Sequence, residues 1–73
     1  MSTLEPFGAW LLRQHQRTDQ IGSLAKAAKA DPVFPRDGGP EAVYARLNAR
    51  EADPEMFEAV EEAEAEWRSS GDA

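Results

Sequence analysis

Few residues in this chain are equipped for chemistry. It has one histidine, His15, and no cysteine, which removes a thiolate nucleophile, a disulfide framework and a thiolate metal site together. A lone imidazole acts as a general base only beside a group it can activate, and no serine sits in a recognisable nucleophile context. His15 therefore reads as a surface or helix-end residue. Carboxylates are plentiful at Glu58, Glu61, Glu62, Glu64 and Glu66. Acid/base catalysis needs two carboxyls in different environments around one pocket, whereas this spacing puts them mostly on the water-facing side of an amphipathic helix. The same segment has neither the glycine-turned loop of a calcium hand nor a histidine for a transition metal. No catalytic residue, metal or cofactor is expected. What remains is an acidic face, Glu58, Glu61, Glu62 and Glu66, that can meet a basic partner. Trp67 stands beside it, either as an aromatic anchor for that partner or, since it also lies on the apolar stripe, as a core residue.

The cations form a second set. Arg13, Arg17, Lys26 and Lys29, with Arg36 beyond them, share a face if the first two helices pack antiparallel, and such a face can contact phosphates. The set lacks a glycine-rich phosphate loop and an aromatic ladder for stacking bases. Nucleic-acid binding through these residues is the alternative to a protein partner, and pairing with the acidic helix is the bland account of both sets.

Charge is divided along the chain. Residues 1–50 carry seven Lys/Arg against five Asp/Glu and residues 51–73 one against nine, so the net −6 separates into +2 and −8. Whole-chain charge argues mildly against nonspecific coating of DNA but leaves a local basic patch open. No apolar run approaches the length of a membrane span and the start lacks the regions of a signal peptide. A cytoplasmic protein with no membrane role is the expectation. Seventy-three residues make one domain near the lower limit of what folds without staples, so nearly every large apolar side chain must be buried.

The elements that hold these residues can be read from caps and stripes. Phe7, Trp10 and Leu11 fall at i, i+3 and i+4, predicting a helix over about 6–16 with Pro6 in its first turn and Thr3 as a cap. Asp19 caps a second helix, about 20–30, whose stripe is Ile21, Leu24, Ala25 and Ala28. Asp31-Pro32 stops it, and Val33-Phe34, held between two prolines, read as a plug on the core. Arg36 to Pro40, RDGGP, breaks the chain. A third helix follows over about 40–49 on Val43, Tyr44 and Leu47. Asp53-Pro54-Glu55 starts a fourth, about 54–68, on Met56, Phe57, Val60, Ala63 and Trp67, with 69–73 a loose tail. The fold class is all-α, a compact bundle of four short helices in a single domain.

With these elements placed, the chain resembles the YozE SAM-like family of small bacterial proteins. The residues that carry the likeness are Phe7, Trp10 and Leu11, then Asp19-Gln20-Ile21-Gly22-Ser23-Leu24-Ala25, then Asp31 with Phe34-Pro35. It spans about residues 7–47. The acidic helix after Asp53 matches the pattern least well, and RDGGP is a local variant. The resemblance implies a helical bundle similar to a sterile alpha motif domain, and it transfers no binding residue to this chain. Taken with the charge asymmetry, the expectation is a noncatalytic protein-interaction module whose acidic last helix meets a basic partner protein or a basic face on another copy of the chain.

Overall fold

Four helices follow from those caps and stripes in the computed structural model, which describes residues 5–71: α1 Phe7–Leu12, α2 Gln20–Lys29, α3 Pro40–Ala49 and α4 Pro54–Gly71. No strand occurs among the described residues. α4 lies across the other three helices and α1 packs on α2 and α3. The radius of gyration, 11.4 Å, is what a compact chain of this length gives.

Helix α1 is shorter than its stripe suggested. The chain leaves it through turns, in which the N–H groups of Arg13 and Gln14 donate to the carbonyls of Trp10 and Leu11 at 3.1 and 2.9 Å. The Gln14 side-chain amide also donates to the Trp10 carbonyl at 3.0 Å, taking the acceptor that a further α-helical turn would use. No apolar residue extends the stripe past Leu11 and Leu12, so nothing holds another turn against the core. Pro6 is the cap residue rather than the first helical one. The expected Thr3 cap lies outside the described residues.

Helix α2 starts as its sequence requires. The Asp19 carboxylate accepts from the Gly22 N–H at 3.0 Å, satisfying one of the free donors of the first turn. Gly22 is needed for packing: a Cβ there would stand 2.0 Å from the Arg17 carbonyl oxygen, so the incoming turn can lie on the helix only over a bare Cα. Gly8 is matched in the same way to the loop after α2, where a Cβ would meet the Pro35 oxygen at 2.2 Å.

Between α2 and α3 the plug divides. Phe34 is buried, while Val33 is 64 % exposed and so does not belong to the core. Asp31 sets this split: its carboxylate accepts from the Val33 N–H at 3.0 Å and its carbonyl from the Phe34 N–H at 3.2 Å, folding the segment so that one side chain turns in and its neighbour turns out.

Helix α3 ends in a motif usually completed by glycine. The Ala52 N–H reaches the Leu47 carbonyl at 3.0 Å and the Glu51 N–H reaches that of Asn48 at 3.1 Å, which is the Schellman pattern. Glu51 takes the left-handed position with φ 55°. Helix α4 then continues to Gly71, so residues 69–71 of the expected loose tail are helical. Asp72 and Ala73 lie outside the described residues.

The core is one cluster drawn from all four helices. Phe7, Leu11, Ile21, Leu24, Val43 and Val60 are its largest fully buried side chains. Tyr44 and Phe57 stack on its flank with ring centroids 6.1 Å apart. None of the helices among the described residues is long and apolar enough to cross a membrane.

Candidate functional site

The acidic residues of α4 divide by what they face. Pro54 starts the helix and the stripe of Ala59, Val60 and Ala63 fixes its inner side, which leaves Glu58, Glu61 and Glu62 exposed on the outer one. None of these three has an ion-pair or hydrogen-bond partner among the described residues. Glu66 does: Arg17 donates to its two carboxylate oxygens at 2.8 and 3.1 Å. Glu64 is taken by Arg68 one turn along at 2.6 Å. The Tyr44 hydroxyl, on the flank of this face, titrates above its ordinary range because of its burial, with Glu61 and Glu64 adding to the effect.

Trp67 is spent within the chain. Its indole N–H donates to the Glu5 carbonyl at 2.7 Å, and its ring meets Phe7 edge-on with centroids 5.4 Å apart. Of the two sequence readings, anchor for a partner or part of the core, the geometry matches the second. Trp10 is buried beside Phe7.

The four cations of the basic set do not form one face. Arg17 sits between Asp19 and Glu66, donating to the Asp19 carboxylate at 2.6 Å as well. These two carboxylates raise its pKa, Glu66 contributing most, and Arg17 in turn lowers theirs. This is the pairing of basic half with acidic helix within one molecule, achieved by one residue. Arg13 pairs with Glu5. Lys26 and Lys29 are exposed on α2 with no ion-pair partner among the described residues. Lys29 lines a surface depression together with Leu12, Arg13, His15 and Arg36.

One polar centre was not foreseen. Asp31 is the only buried charged side chain among the described residues. It receives the Arg46 guanidinium as a fork, Nε on Oδ2 and Nη2 on Oδ1, both at 2.8 Å, and Arg50 Nη1 lies 3.3 Å from Oδ2. Arg46 above all, with the Val33 N–H and Arg50, holds the Asp31 carboxyl well below the usual carboxylate range against the opposing effect of its burial. Bidentate geometry of this kind gives position as well as energy. Here it ties the stop of α2 to the last turn of α3. The cluster rims a groove of about 270 Å³ whose apolar wall includes Leu24, Phe34, Leu47 and Met56. Asp31 and Arg46 are 15 residues apart on different elements, so no local spacing in the sequence marks the pair.

Chemically, then, this surface offers solvated carboxylates, a few free cations and one buried carboxylate shared by two arginines. No group of three or more potential metal-ligating side chains comes together among the described residues. Compared with family models, curated proteins and solved structures, the chain matches none.

Proposed function

We propose that the chain is a noncatalytic protein-interaction module, a SAM-like helical bundle of the YozE type working in the bacterial cytoplasm, and that the outer face of α4 is its contact surface. One observation carries this reading: Glu58, Glu61 and Glu62 stand exposed on one helix with no cation paired to them among the described residues, although Arg17 and Arg68 engage the neighbouring Glu66 and Glu64. Unneutralised like charges on one helix repel each other, and a basic surface on a partner relieves that repulsion and steers its approach. A second copy is the first partner to test, because the first half of the same chain is net positive. Lys26 and Lys29 stand exposed there with no ion-pair partner among the described residues, cations that a head-to-tail contact can bring to this face.

Sedimentation equilibrium over a wide concentration range at low and high salt tests this. The mass should rise with concentration at low salt, fall back to that of the monomer at high salt, and stay monomeric in E58Q/E61Q/E62Q, whose thermal midpoint should be no lower than the parent's because these side chains face water and their mutual repulsion is removed. A monomer under every condition rejects self-association. A triple variant that still associates moves the contact away from α4. Nucleic-acid binding through Arg13, Arg17, Lys26 and Lys29 is the second reading, and Arg17 weakens it by being held between two carboxylates.

A further inference from the structure

We propose that the depression lined by Leu12, Arg13, His15, Lys29 and Arg36 binds the phosphate of a small phosphomonoester. Its polar side chains come from three separate segments: the turn after α1 supplies Arg13 and His15, the last turn of α2 supplies Lys29, and the loop before α3 supplies Arg36. The inference rests on these residues and is independent of the α4 reading.

Charge makes the site unusual in this molecule. The sequence has 14 Asp/Glu for 8 Lys/Arg, so acidic partners are in excess. Arg13, Arg17, Arg46, Arg50 and Arg68 have each found a carboxylate. Lys29 and Arg36 have none among the described residues, although Asp37 follows Arg36 directly in the chain. No carboxylate is among its lining residues, although Glu5 pairs with Arg13 at its edge. Cations gathered around one concavity raise the local potential and favour an anion there.

The donor set specifies which anion. A phosphate monoester carries up to two negative charges and three acceptor oxygens. It suits the Arg36 fork, the Lys29 ammonium and the His15 imidazole, which line one depression from separate segments, better than a single carboxylate does. The depression, about 320 Å³, falls in the size range of small-molecule sites. Leu12 gives it one apolar wall for the organic part of an ester. A nucleic-acid backbone would ask for cations spread along a track and aromatic faces for its bases. Here Arg17 is engaged by Glu66 and Asp19, and both tryptophans pack against Phe7.

The test is an amide-resolved NMR titration of the whole chain at constant ionic strength. The probes are inorganic phosphate, a nucleoside 5′-monophosphate, and one short oligonucleotide with and without a 5′-phosphate; sodium chloride is the control. The expected result is a saturable shift at Leu12, His15, Lys29 and Arg36 with phosphate and with the monophosphate. A tighter fit of the monophosphate assigns the ester, and equal affinity confines recognition to the phosphate group. K29Q/R36Q should weaken binding by about tenfold or more, as expected for lost charge-assisted hydrogen bonds, with an unchanged thermal midpoint. Shifts no larger than those with chloride, or affinity unchanged in K29Q/R36Q, overturn the proposal. Equal binding of the oligonucleotide with and without its 5′-phosphate also overturns it, by giving the surface to backbone phosphates.

Discussion

Asp31 shows how much one side chain can organise. It stops α2, turns Val33 out and Phe34 in, and receives Arg46 and Arg50 from the far end of α3. Because its carboxyl titrates lower in the folded chain than in the unfolded one, its contribution to stability is complete above the ordinary aspartate pKa of about 3.9 and is lost progressively as the pH falls below that value. Asp19 and Glu66 act with the same sign. Asp31→Asn should therefore lower the thermal midpoint at neutral pH and flatten, without abolishing, its fall below about pH 4; melting followed by circular dichroism from pH 2 to 7 measures both. Parallel curves for the two proteins would show that the ion pair carries no net stability. Gly22 makes the opposite point, that an absent side chain can be as specific as a present one. Alanine gains about 1 kcal/mol of intrinsic helix preference over glycine, yet Gly22→Ala should destabilise by about 1–3 kcal/mol net, since its Cβ would lie 2.0 Å from a backbone oxygen. Urea unfolding decides the sign.

At the scale of elements, the parts of the fold legible in the sequence were those with local causes. Asp19 as a cap, Asp31-Pro32 as a stop and Pro54 as a start all work through atoms a few residues away, and α2, α3 and the beginning of α4 fall where these signals put them. The end of α1 is not legible in the sequence because a polar tail can continue a helix or leave it, and the choice rests on the Gln14 amide and on the approach of Arg17 to Gly22. The acidic face was readable from helical spacing. Its division into free and engaged carboxylates was not, because Arg17 reaches Glu66 across 49 residues. The end of α3 was placed near residue 49 without its mechanism, since Glu51 occupies a position that glycine usually announces. Holding a residue with a Cβ in the left-handed region costs about 1 kcal/mol, so Glu51→Gly should raise stability by about that amount, read as a higher urea midpoint with an unchanged slope. A lower midpoint would mean that the Glu51 side chain contributes more than its backbone strain costs.

Over the whole molecule, the two candidate surfaces belong to opposite ends of the charge pattern: an acidic stripe on α4, and a basic depression built from α1, α2 and the loop before α3. Their tests use different variants and different readouts, so either surface can fail alone. α4 is also tied to the start of the chain, since Arg17 holds Glu66 and Trp67 reaches the Glu5 carbonyl, 62 residues away in sequence. That last contact bears on synthesis. Phe7 is fully buried partly under Trp67, and Val60 and Ala63 fill the centre of the core. A nascent chain that has reached only the end of α3 can pack α1 on α2 and α3 but lacks the Trp67 ring that meets Phe7 edge-on. The cover over Phe7 is complete only once α4 has been made, and apolar surface left open until late in synthesis is the kind that aggregates or engages chaperones.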